Sequence, residues 1–181
     1  MVAALTKGDF ERLFEAPPAH DWTAAFEAVE DLNAFARKVD EFSKESKRWI
    51  SGMQQNFEKA AADIHEKVAG VPLADVRVMA EPAISRMIEA VEDCMKAHGE
   101  PIHERAAGRD QLSKLRQISG PTGRYLRKVL NRLEDVRVER YNALVDLYYG
   151  LLALRSEFAE KDGPSFSDGS SLRDFLRSKI A

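Results

Sequence analysis

Two long stretches without proline constrain this chain more than any other feature. Residues 19–71 and 122–163 contain none, spans of 53 and 42 residues in a chain of 181. Proline lacks the N–H that a helix interior needs, and its ring clashes with the preceding turn. Both spans are therefore open to long helices. Strand formers are scarce: Val, Ile and Thr together number 22. Ala, Leu, Glu, Lys and Arg, which favour helix, are abundant. No Asn-Gly or Asp-Gly sits between alternating apolar runs to signal a hairpin. The expected fold is all-α: an elongated antiparallel helical bundle built on two long amphipathic helices.

The first helix is expected from Trp22 to Ala69, with Asp21 as N-cap and Gly70 and Pro72 ending it. Its apolar stripe runs through Phe26, Leu32, Ala36, Val39, Phe42, Ser46, Trp49, Met53, Phe57, Ala60 and Ile64. Ser46 is the odd member. The mean step is close to the 3.5 residues of a coiled-coil seam. If unbroken, this helix is about 70 Å long; residues 43–52 are where a bend or break would fall, and the sequence leaves open whether one does.

The second helix is expected over 123–160. Its stripe reads Leu126, Val129, Leu133, Val136, Arg140, Leu144, Leu147, Leu151, Leu154 and Phe158, with Arg140 the exception. From Tyr141 to Leu154 it is apolar nearly all round, so this segment should be the most buried. Shorter helices are expected over 73–98, with Pro82 near a start or kink, and over 101–118. Another is expected around Phe10, Leu13 and Phe14, and a last one over 172–180 after a Ser/Gly-rich loop. The whole reads as one domain: 1–20 a short helix and Pro-rich turn, 21–162 the bundle, 163–181 a loop and terminal helix.

Several function classes drop out. No apolar run approaches the ~20 residues that cross a bilayer, so no membrane partner is expected. Val2–Leu5 is too short for a secretory h-region, and the single Cys94 cannot form an internal disulfide. A cytoplasmic protein is the expectation. The sequence calls for no cofactor.

Charge is unevenly spread. Residues 105–140 hold 10 Lys and Arg against 4 Asp and Glu, whereas residues 1–104 hold 12 against 20. One reading is internal complementarity, with the acidic first helix lying against the basic block. The other is an anion site. Gly120-Pro121-Thr122-Gly123 opens a helix whose free N–H groups carry partial positive charge. Arg124, Lys128 and Arg132 follow at i, i+4, i+8, with Arg127 beside them and Arg116 just before. Phosphates or a nucleic-acid backbone would be drawn there. Tyr125 is the one aromatic nearby, which gives base stacking little support.

Catalytic signatures are absent. The SGPTGR run lacks the Gly-Lys-Ser/Thr ending of a phosphate-binding loop. Glu100-x-x-His103 has di-iron spacing but no second copy. Cys94, His98 and His103 could meet as three metal ligands; the simpler reading is a core thiol with helix-end and loop histidines. Narrow seams on long helices are often closed by a second chain. The leading expectation is thus a non-enzymatic interaction protein, a homo-oligomer or adaptor, with Phe26, Phe42, Trp49, Met53 and Phe57 as its contact stripe. Nucleic-acid or phosphate binding through residues 105–140 is the alternative, and metal binding a distant third.

Overall fold

A computed structural model describes residues 4–17, 31–101, 113–114 and 117–159. Among them are four α-helices: α1 Lys7–Glu11, α2 Leu32–Val68, α3 Leu73–Gly99 and α4 Gly120–Ala159. The described residues contain no strand, and the helices pack on one another as an all-α bundle. No helix among them is long and apolar enough to cross a membrane.

Helix α2 is uninterrupted through residues 43–52. It begins at Leu32 rather than ten residues earlier. Asp31 stops it locally, since its Oδ1 accepts the N–H groups of Asn33 and Ala34 at 3.0 and 3.1 Å. Trp22, Phe26 and the expected cap Asp21 lie outside the described residues. So do most of 101–118 and all of 163–181. Pro82 starts no helix and sits on an exposed position inside α3. Gly70 follows α2 without a left-handed backbone; among the described residues only Gly120 has one, at φ 77°.

The chain divides into two compact units. The first is formed by Met1–Ala16, Ser51–Cys94 and Leu144–Ala181, the second by Pro17–Ile50 and Met95–Ala143. In the first unit Phe57 of α2 lies against Gly150 of α4, and His65 meets Glu157. These pairs advance together along both helices, so α2 and α4 run parallel there. Helix α3 runs against them: Arg77 donates to the carbonyls of Phe158 and Ala159, and Glu92 meets Tyr148. In the second unit Asp40 pairs with Arg132, and Trp49 faces Arg140. Here too α2 and α4 are parallel. Consecutive helices are thus antiparallel, as expected, but the two longest are not partners in a hairpin. The 27 residues of α3 carry the chain back between them.

All ten positions of the α4 stripe, from Leu126 to Phe158, are buried, Arg140 included. The α2 stripe is buried at Val39, Phe42, Ser46, Met53, Phe57, Ala60 and Ile64. One apolar anchor was displaced by a residue: Phe35 is fully buried, while Ala36 is half-buried beside it. In the second unit Phe35, Val39 and Phe42 close a core with Leu126, Val129, Leu133 and Val136. Each such large side chain contributes about 1.5–3 kcal/mol through burial.

In the first unit, Phe10 of α1 and Leu13 in the turn after it are both essentially inaccessible to water. The Phe10 ring meets Phe158 edge-on at 6.3 Å. Buried Asp9 fixes this helix. Its carboxylate accepts from Thr6 N at 2.7 Å, Arg12 Nη2 at 2.6 Å and Lys67 Nζ of α2 at 2.6 Å.

Candidate functional site

The basic block separates into two populations in the second unit. The first is internal. Arg140 has no exposed surface; its Cζ stands 5.4 Å from the Trp49 ring centroid and its Nη1 is 3.5 Å from His98 Nε2. The aromatic face supports a cation that has left water. Arg137 is 7% exposed; it donates to Glu134 through Nε at 2.8 Å and to the His98 carbonyl at the end of α3 through Nη1. The last carbonyls of a helix lack intrahelical donors and carry partial negative charge, so a guanidinium placed there caps them. Arg137 and Arg140 are therefore spent on the fold.

The second population faces solvent. Arg124, Arg127 and Lys128 are exposed on the first turns of α4. None forms an ion pair or side-chain hydrogen bond among the described residues. Arg132 is exposed but pairs with Asp40 of α2, Nη1 to Oδ1 at 2.6 Å. Both partners of that pair are about half exposed, so it contributes at most ~1 kcal/mol. No acidic residue occurs between Gly120 and Leu133. The internal-complementarity reading thus holds at Arg132 and leaves three cations without an ion-pair partner among the described residues.

Why the chain carries two glycines before these cations is explained by backbone geometry. Gly120 takes the left-handed region, which a side chain resists. A Cβ on Gly123 would collide with the Ile118 carbonyl oxygen. Both glycines let the chain turn tightly into α4, and Pro121 suits a first helical turn. The SGPTGR run is accounted for as a helix start that aims Arg124, Arg127 and Lys128 outward.

The remaining candidates resolve as follows. Phe42, Met53 and Phe57 are 8%, 5% and 8% exposed and Trp49 is half-buried. The seam is closed by the chain's own helices at Phe42, Met53 and Phe57. Phe26, His103 and Arg116 lie outside the described residues. Cys94 is half-buried, and His98 Nε2 is turned toward a guanidinium. Among the described residues no group of three or more His, Cys, Asp or Glu could hold a metal ion.

In the first unit a shallow cleft of about 430 Å³ lies between α1 and α2, lined by Glu11, Arg12, Glu15, Asn56, Lys59 and Asp63. Its charges are of mixed sign and select no single ligand. The sequence signalled the internal arginine through its place in the apolar stripe. What it could not signal was the partition of the block, because 3.6-residue spacing puts neither Arg137 nor Arg132 clearly inside or outside. No protein-family model, no curated protein and no solved structure matches this chain.

Proposed function

We propose that this protein is a helical binding module that holds the phosphate backbone of a nucleic acid on the exposed start of α4. The observation that supports it is the row Arg124, Arg127 and Lys128: solvent-facing, without ion-pair partners among the described residues, and with no carboxylate interspersed. Charge blocks on helical proteins are usually paired across an interface within the chain; among the described residues these three are not. Arg132 joins them when its exposed pair with Asp40 exchanges for a phosphate.

Self-association through the α2 stripe has less support, since Phe42, Met53 and Phe57 are already enclosed. Exposed Val78, Val138 and Tyr149 are scattered singly and form no seam.

The test is binding of labelled oligonucleotides by fluorescence anisotropy at two salt concentrations. With three phosphate contacts to a single strand, the affinity should fall with a log–log salt slope near −2, at roughly −0.7 per contact. The Arg124→Gln/Lys128→Gln double variant should lower the magnitude of that slope by about 1.4. No binding at low salt refutes the proposal.

A further inference from the structure

The cationic face carries one aromatic ring, and its position says which form of nucleic acid the face fits. Tyr125 is 44% exposed, the most exposed aromatic among the described residues. It makes no ring contact and no hydrogen bond there. By contrast Tyr149, the next most exposed, is engaged edge-on by Tyr148 at 5.7 Å. A single exposed tyrosine means little by itself. Tyr125, however, lies one turn before Lys128 at i,i+3, so the two are neighbours on the helix surface, and Lys128 in turn neighbours Arg124 at i,i+4. Arg124 and Lys128, four residues apart, are separated by about 6 Å along the helix. An extended strand presents neighbouring phosphates at comparable spacing.

Two cations beside an unengaged ring are the elements of single-strand recognition: the cations track the backbone, and the ring stacks on a base. Duplex nucleic acid hides its base faces in the stack and offers Tyr125 nothing. Loss of the Tyr125 ring would therefore be felt only by a ligand whose bases are free. We infer that α4 binds single-stranded nucleic acid, with Arg124 and Lys128 on phosphates and Tyr125, beside Lys128, stacked on a neighbouring base. This inference rests on the phosphate-binding reading above and adds base recognition to it.

The experiment compares two labelled 12-mers of equal charge on the full chain, oligo-dT and an abasic oligodeoxynucleotide, together with a 12-bp duplex. Wild type should bind oligo-dT at least about 5-fold more tightly than the abasic strand, the low end of the range for one base stacked on an aromatic. Tyr125→Ala should erase that difference while binding the abasic strand as before; Tyr125→Phe should keep it. Far-UV circular dichroism checks that both variants are folded, as an exposed position predicts. Equal wild-type affinity for all three probes overturns the inference and leaves a face that reads charge alone. An unchanged preference in Tyr125→Ala also overturns it. Binding of none of the probes at low salt removes the phosphate-binding reading and this inference with it.

Discussion

Asp9 is the one buried carboxylate among the described residues, and it has three cation or hydroxyl partners. Burial alone would raise its pKa. The bonds from Lys67, Thr6 and Arg12 outweigh that and hold it well below the ordinary carboxylate value of 3.8. A folded pKa below the unfolded one means a contribution that is complete above the unfolded value and is lost progressively as pH falls from there to the folded value. Asp9→Ala should cost about 2–4 kcal/mol at neutral pH by leaving Lys67 without its buried partner. In urea titrations between pH 7 and pH 3, the wild-type midpoint should drop at the acid end. The variant should start lower and drop less; parallel curves would show that Asp9 is not coupled in this way. Ser46 is the opposite case. It is fully buried, and its hydroxyl makes no hydrogen bond among the described residues. A buried hydroxyl without a partner costs about 1–3 kcal/mol, so Ser46→Ala should be neutral or stabilising by up to ~1 kcal/mol in urea unfolding. A loss above ~1 kcal/mol would mean that the hydroxyl is satisfied. Both Ser46 and Arg140 were visible in the sequence as breaks in apolar stripes. That each is nevertheless buried follows from the stripe position, which overrides the side chain's own preference for water.

At the scale of elements, α4 was legible almost entirely. Its periodicity alone places all ten stripe residues inside. Its neighbour was not legible, since a stripe says which face is covered and nothing about what covers it. The parallel course of α2 and α4 depends on α3 returning the chain, and the sequence marked the extent of α3, over 73–98, but not the helices it lies against. The close approach of the two long helices is set at Gly150, where an added Cβ would meet the Phe57 ring at 3.0 Å. Gly150→Val should therefore cost about 1–3 kcal/mol through overpacking, read as a lower melting temperature with helix content preserved. An unchanged melting temperature would place Phe57 elsewhere. Helix α2 began later than its stripe suggested because Asp31 caps it, and Asp is common enough on exposed helix faces that its capping role is not visible without the backbone.

For the whole molecule, charge is what separates a scaffold from a binding surface. A sequence count shows 10 cations in residues 105–140. The fold consumes Arg137 and Arg140 internally and engages Arg132 with Asp40. What remains on the surface of the described residues near the start of α4 is compact: Arg124, Arg127 and Lys128, with Tyr125 among them. Removing an internal cation should thus impair folding, whereas removing a surface one should impair binding alone. Arg140→Ala is expected to lower stability by about 3–5 kcal/mol, and Arg124→Gln to leave it within ~0.5 kcal/mol. The measurement that bears most directly on the account is the anisotropy titration of labelled oligo-dT against wild type and Arg124→Gln/Lys128→Gln at two salt concentrations. Salt-sensitive binding by wild type, weakened in the variant while its melting temperature stays put, is the predicted result. Binding that is absent at low salt, or that the double variant retains in full, would contradict it.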